Sequence, residues 1–273
     1  MIKAKTRGLL LPFAGLLIIL FHLAPLYITL SIALKKMTDL SSRWSIPNYL
    51  YWQNFVDAIN GSHMLRAFSN SFVITVGTSF LIIMIGAMAA YPLARVRTKI
   101  NKWILNLVLT VMMIPTLSII VPLYKVMNDM HAINTFWGVI LVLTTHGLPL
   151  AIFTYANFIR TIPRDLDEAA TVDGCNGYSV FFRILLPQLK PVTATVLILA
   201  GLKVWNDFEF ALYFLQKPQK QTITLTIANF FSEFSSNINA AAAAALLAVL
   251  PVTIMFIFLQ KYFISGLSDG AVK

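Results

Sequence analysis

The sequence predicts an all-α membrane protein with six transmembrane helices, and three observations carry that prediction. Of the 273 residues, 58% are hydrophobic and only 12% charged, with a mean hydropathy of +0.76. A soluble domain averages about 25% charged residues, so this chain would lack the polar surface to stay in water. Six windows reach the roughly 20 apolar residues that a helix needs to cross a bilayer. A polar, charged segment of about thirty residues, 160–190, lies between the fourth and fifth of them and is far longer than a helix connection requires.

The first window, 8–34, follows Lys3, Lys5 and Arg7 and so begins like a signal peptide. Its apolar run is too long and lacks a clear small-residue cleavage site, so it reads as a retained helix. The loop 35–69 carries Trp44, Tyr49, Tyr51, Trp52 and Phe55, residues that suit a membrane–water boundary. A partner-docking surface or a short amphipathic helix is the other reading. The second window, 70–94, runs into a basic hairpin, Arg95 to Lys102, before the third at 103–124. A turn at 128–134 leads to the fourth window, 135–158. None of these four windows, nor the last at 237–260, contains Lys, Arg, Asp or Glu. Such charge-free continuous runs exclude the alternating strands of a β-barrel.

The fifth window, 192–214, differs because it holds Lys203, Asp207 and Glu209. Charges at membrane depth are expensive and tend to face a bundle interior. Lys203 and Asp207 share a helical face and suit either an intrahelical ion pair or the lining of a cavity, with Trp205 and Asn206 beside them. Lys203 falls roughly 17 Å into the helix, near mid-membrane. The run Ile223 to Phe231 gives the loop after this window some order, and the run Ala240 to Ala245 offers the last helix a smooth packing surface.

Basic residues orient the bundle. Lys3, Lys5, Arg7, Arg95, Arg97, Lys99, Lys102, Arg160, Arg164, Arg183, Lys190, Lys261 and Lys273 fall on one side, 13 against seven on the other. The positive-inside rule places that side, with both termini, in the cytoplasm. The formal charge of +10 belongs to this topology and to anionic membrane lipids, and needs no nucleic acid. Cys175 stands alone, the four histidines are scattered, and no phosphate loop or nucleophile elbow is present. Composition and motifs therefore point away from an enzyme and away from a bound metal or cofactor.

Within 160–190, Ile162-Pro163 and then Asp165, Asp167 and Glu168 form an acidic helix start, where carboxylates meet unpaired N–H groups. Leu166, Ala169, Ala170 and Val172 give that helix a small apolar side, and Gly174 ends it. A second short helix, Tyr178 to Leu186, puts Phe181, Ile184 and Leu185 on one face and stops at Pro187. Two short helices at a glycine turn make a rigid element suited to docking.

Glu168-Ala169-Ala170, three residues, Gly174, nine residues, and Ile184-x-Leu186-Pro187 resemble the EAA motif of binding-protein-dependent ABC importer permeases. Ala89-Ala90-Tyr91 with Ala94-Arg95, Asn134-Thr135 with Gly138, Asp173-Gly174, Trp205-Asn206-Asp207-Phe208 and the tail 266–273 resemble the carbohydrate-uptake branch, similar to the smaller maltose permease. Gln188 and the extra carboxylate Glu209 depart from that pattern. The resemblance covers nearly the whole chain.

It implies a type I ABC importer permease fold, with 160–190 as a cytoplasmic two-helix coupling loop between helices 4 and 5. Glu168, Ala169, Ala170, Asp173, Gly174, Ile184 and Pro187 would couple to the ATPase, and Lys203, Trp205, Asn206 and Asp207 would be candidates for the sugar pathway. The implied partners are a second homologous permease, two ABC ATPase subunits that bind ATP and Mg, an extracytoplasmic sugar-binding protein, a di- or oligosaccharide and membrane lipids. The implied location is the inner or plasma membrane of a bacterium. A stand-alone ion-coupled carrier and a non-transporting scaffold are the alternatives; the first would transport alone on an ion gradient, the second would bind without flux.

Overall fold

The computed structural model describes the backbone of residues 2–61, 63–233 and 237–271, and the side chains of 12–61, 63–228, 237–258 and 260. The side chains of Lys3, Lys5, Arg7, Lys261 and the tail 266–273 lie outside that description. Along the chain run α1 (Ile2–Ala33), α2 (Gln53–Gly61), α3 (Met64–Arg95), α4 (Lys99–Val111), α5 (Ile120–Asp129) and α6 (Phe136–Ile159). Then come α7 (Asp165–Val172), α8 (Gly177–Ser179), a π-helical stretch Val180–Leu185, α9 (Leu186–Gln188) and α10 (Lys190–Trp205). The chain closes with α11 (Glu209–Phe214), α12 (Ile223–Glu233) and α13 (Ile238–Ala271).

Among the described residues four helices are long and apolar enough to cross a membrane unaided: α1, α3, α6 and α13. The count reaches six if each of two bent pairs is one span. One pair is α4 with the segment Thr116–Asp129, bent by 96°. The uninterrupted third window is thus broken, and Pro115 explains the place. Proline supplies no amide hydrogen and keeps Ile114 from helical geometry. The other pair is Gly177–Gln188 with α10, bent by 76°. The fifth window is divided as well, because α10 stops at Trp205 and α11 begins at Glu209.

The chain forms two compact units, Met1–Leu65 with Thr226–Leu250, and Arg66–Leu225 with Pro251–Lys273. In the first unit the end of α1 is closed by side chains. Asn54 Nδ2 donates to the carbonyls of Ala33 and Lys35, and Asn239 Nδ2 to those of Ile32 and Lys35. Carbonyls that the helix itself leaves unpaired are thereby satisfied. Lys35 is buried, and its ammonium donates to Ser41 Oγ, the Ser42 carbonyl and Ser45 Oγ. Ala240 to Ala244 are buried, as the small-residue run predicts.

Among its described residues the second unit has two apolar cores. One joins Ala87, Ala90 and Ala94 of α3, Ala151, Tyr155 and Ile159 of α6, and Phe181 and Leu185 of the 160–190 loop. The other joins Ile74, Val139, Leu143, Phe210 and Phe214. The Asn134-Thr135-x-x-Gly138 sequence has a structural reason here. Thr135 Oγ1 accepts from the Gly138 amide, starting α6. Asn134, at φ 60°, accepts from the Lys217 amide and donates its own amide to Phe214 O. A Cβ on Gly138 would lie 2.6 Å from Ala132 O, so no side chain fits.

Candidate functional site

Two sites stand out in the second unit, the 160–190 loop and a polar cluster among the spans. The loop begins with α7, whose first turn carries Asp165, Asp167 and Glu168. Asp167 turns back to α3, where its Oδ2 lies 2.8 Å from Arg95 Nε, both side chains being largely buried. Arg95 Nη1 also donates to Ile162 O, and Arg164 Nη2 donates to Arg95 O. Glu168 is exposed and makes no side-chain hydrogen bond or ion pair among the described residues. The apolar side of α7 is split: Ala170 is buried, whereas Ala169, Leu166 and Val172 face outward.

Gly174 ends α7 at φ 83°, in the left-handed region that glycine reaches without steric cost. The Cys175 amide donates to Ala170 O at 2.9 Å and the Gly174 amide to Thr171 O at 3.0 Å. This double closure is a Schellman motif and fixes the direction of the exit. Asn176 then caps the next helix, its Oδ1 accepting from the Ser179 amide. That cap escaped the sequence reading, although Asn immediately before a short helix is its usual signal.

The second helix is α-helical only at its ends. Between them the Leu186 amide reaches Phe181 O, five residues back. Pro187 has no amide hydrogen and its ring would crowd the carbonyl four residues earlier, and the wider π turn relieves both. Phe181 and Leu185 are buried, Ile184 is half-buried, and Pro187 and Asp173 are exposed. The Phe181 ring packs on Tyr91 of α3, with centroids 5.7 Å apart. Ala90-Tyr91 and Ala94-Arg95 therefore form the seat of the loop.

In the polar cluster, Lys203 Nζ lies 3.0 Å from His146 Nδ1, and His146 Nε2 lies 2.9 Å from Thr116 Oγ1. A lysine ammonium only donates, so Nδ1 accepts and the imidazole proton sits on Nε2, facing Thr116. The His146 ring meets the edge of Phe210 at 5.5 Å. His146 was the residue that sequence reasoning passed over. A lone histidine in a charge-free span was its signal.

Asp207 points elsewhere than along its own helix. Its carboxylate accepts from the amides of Phe210 and Ala211 and so starts α11, while its carbonyl accepts from Thr224 Oγ1. The i, i+4 spacing with Lys203 does not become an ion pair, because α10 ends at Trp205. Lys203, Asn206, Asp207 and Glu209 line one cavity of about 420 Å³ together with His146. His146 and Lys203 also line an adjoining, more apolar one of about 330 Å³. Trp205 is buried away from both, its ring 6.1 Å from that of Phe68. Among the described residues no three His, Cys, Asp or Glu side chains could together hold a metal ion.

Residues 82–269 match the family model of the binding-protein-dependent transport system inner membrane component. The chain is 42% identical over 272 residues to the melibiose/raffinose/stachyose import permease of Bacillus subtilis strain 168, with 99% of each chain covered. It is 32% identical to a probable starch degradation products permease of Thermoanaerobacterium thermosulfurigenes, again with 99% of each covered. It is 30% identical to a trehalose permease of Mycobacterium tuberculosis, with 94% of each covered. Its fold matches a chain in the crystal structure of a bacterial alginate importer at a TM-score of 0.82 and 18% identity, covering 96% of this chain and 98% of that one.

Proposed function

The chain belongs to the family of binding-protein-dependent transport system inner membrane components, and from that membership we propose that it carries a di- or oligosaccharide inward. It is the permease subunit of a carbohydrate ABC importer, and ATP hydrolysis is the work of a separate ATPase subunit. The proposed assembly adds a second permease, two ATPase subunits holding ATP and Mg, and an extracytoplasmic sugar-binding protein. Both termini and the 160–190 loop then lie in the cytoplasm of a bacterial cell, under its inner or plasma membrane.

The observation that carries this reading is the loop itself. Ala170, Phe181 and Leu185 bury one side of it, and Arg95 holds Asp167, while Glu168 and Ala169 remain exposed. A partner gripping that free side would move a rigid body, and through Tyr91 and Arg95 the end of α3. Glu168 is the charged contact, Ala169 and Ala170 give the helix its low profile, and Gly174 sets the turn with Asp173 beside it. Ile184 and Pro187 position the second helix. Movement of such an element between two arrangements exposes a sugar path to one side and then the other. Lys203, Asn206 and Asp207, on the cavity of the second unit, offer hydrogen bonds to sugar hydroxyls; buried Trp205 supports the wall.

The proposed substrate class is supported by relatives named for melibiose, raffinose, stachyose, starch products and trehalose. The test is ATP hydrolysis by the assembled importer with its binding protein across a panel of these sugars. Stimulation by one of them, abolished by Glu168→Lys together with loss of the ATPase on purification, is expected. Normal coupling in Glu168→Lys removes that residue from the interface, and uptake by the lone chain on an ion gradient removes the importer reading.

A further inference from the structure

The coupling loop and the membrane cavity leave one strongly charged feature of the second unit unused. A cavity of about 720 Å³ lies where α3 hands over to α4, and six cationic residues line it: Arg95, Arg97, Lys99, Lys102, Arg160 and Arg164. No acidic side chain lines it. Arg95 is neutralised by Asp167, and Arg164 spends a guanidinium N–H on Arg95 O. Arg97, Lys99, Lys102 and Arg160 are exposed and have no side-chain hydrogen bond or ion pair among the described residues.

The walls are fixed rather than loose. Asn101 Nδ2 donates to Pro92 O and Val96 O, locking the three-residue turn between the helices. Thr98 Oγ1 accepts from the Asn101 amide and caps α4, whose positive dipole end faces the same turn. Leu93, Ala94 and Leu105 supply an apolar floor. Four cations without an acidic partner on one frame leave a concentrated positive charge that favours an anion.

Depth identifies the anion. Every charge of this stretch falls within 95–102, and from Trp103 to Val111 the helix is uncharged. Trp103 and Leu107 are exposed on α4, as side chains facing lipid would be, and tryptophan favours the level of the headgroups. This order of charge, tryptophan and uncharged helix suits the depth of phospholipid phosphates, within reach of long snorkelling side chains. Basic pockets between membrane helices on that side suit anionic headgroups. We propose that this cavity binds the phosphate of an anionic phospholipid, held by Arg97, Lys99, Lys102 and Arg160.

The test uses the purified importer complex, titrated with phosphatidylglycerol or phosphatidylcholine and read by native mass spectrometry. The expected result is about tenfold preferential retention of phosphatidylglycerol, lost in Arg97→Ala/Lys102→Ala and kept in Arg97→Lys/Lys102→Arg. Lys125→Ala, whose residue lies outside the cavity lining, keeps it. Equal retention of the two lipids, or undiminished preference in the alanine pair, overturns the proposal. A third arm adds inorganic phosphate at millimolar concentration. Full displacement of lipid by phosphate makes this a soluble-anion site and also overturns it. If the alanine pair does not assemble, Arg160→Ala with the wild-type lipid preference decides the matter by the same criteria.

Discussion

Arg95 at the end of α3 and Asp167 in the first turn of α7 are 72 residues apart in sequence and 2.8 Å apart in space. The pair, with Arg95 Nη1 on Ile162 O, joins the 160–190 loop to the end of α3. Arginine suits the task because its planar fork reaches a carboxylate and a carbonyl at once. Removing one member leaves a charge that is largely buried and unpaired. Arg95→Ala is therefore expected to destabilise the loop by about 3 kcal/mol and to lower sugar-stimulated ATP hydrolysis. Arg95→Lys rescues poorly because an ammonium cannot span both acceptors. A thermal melt of the complex beside its stimulated ATPase rate checks this, and unchanged values in Arg95→Ala remove the brace.

Gly174 tests the direction of the loop rather than its anchorage. No atom lies within 4 Å of a Cβ built there, so any cost of Gly174→Ala comes from its φ of 83° alone. That cost is about 1–2 kcal/mol for an L-residue. Asparagine tolerates the left-handed region better than β-branched side chains do. The expected order of coupled ATPase activity is wild type, then Gly174→Asn, then Gly174→Ala, with Gly174→Val lowest. Equal activity across the series means the turn is free to rearrange.

These two residues were not equally visible in the sequence. Gly174 announces its turn by lying after an acidic, apolar-sided helix, and the apolar spans announce themselves by lacking charge. Arg95 reads as one of a basic cluster and as part of the Ala94-Arg95 resemblance, but its ion pair is hidden, because Asp167 lies two apolar windows further along the chain. The division of the fifth window was hidden for a different reason: Asn206-Asp207-Phe208 contains neither glycine nor proline. Asp207 breaks the helix by offering its carboxylate to the next turn of amides, a competition with the helix ladder that spacing alone does not reveal. Pro115 did carry a visible signal, since proline inside an apolar run interrupts a helix unless its neighbours compensate.

Asp39, in the loop after α1, gives a pH dependence with a definite sign. Hydrogen bonds from the Ser41 hydroxyl, the Tyr49 hydroxyl and the Ser41 amide stabilise its ionised form and hold its pKa down at about 2. The Tyr49 hydroxyl is 2.6 Å from Oδ2 and the Ser41 amide 2.9 Å from Oδ1. The same bond pushes the Tyr49 phenol above its ordinary value. A depressed carboxylate pKa stabilises the folded loop fully above the unfolded value of 3.8, and this is lost as pH falls towards 2. Tyr49→Phe removes one of these bonds, so Asp39 then titrates closer to its ordinary range. Limited proteolysis of the loop between pH 5 and 2 should show the variant opening at higher pH than wild type. Coincident opening curves rule out Tyr49 as a support of this carboxylate.

The Lys203–His146–Thr116 chain makes a prediction that separates passage of sugar from coupling. Lys203 and His146 line both cavities and stand far from the exposed face of Glu168 in the sequence and outside its loop. Lys203→Met deletes the donor to His146 Nδ1 and the cationic wall at once. His146→Asn retains an acceptor oxygen near the position of Nδ1, whereas His146→Leu leaves the Lys203 ammonium without its partner, at a cost of about 1–3 kcal/mol. If these groups hydrogen-bond the sugar in transit, Lys203→Met and His146→Leu lower uptake about tenfold, one lost charged hydrogen bond, and His146→Asn lowers it less. ATP hydrolysis stimulated by the binding protein should stay near the wild-type rate, because the loop and its Arg95 seat are intact. Radiolabelled sugar uptake in proteoliposomes, measured beside ATP turnover, reads the two quantities separately. Parallel loss of both would make the chain a structural strut between α6 and α10, and unchanged uptake in Lys203→Met would take it off the sugar path.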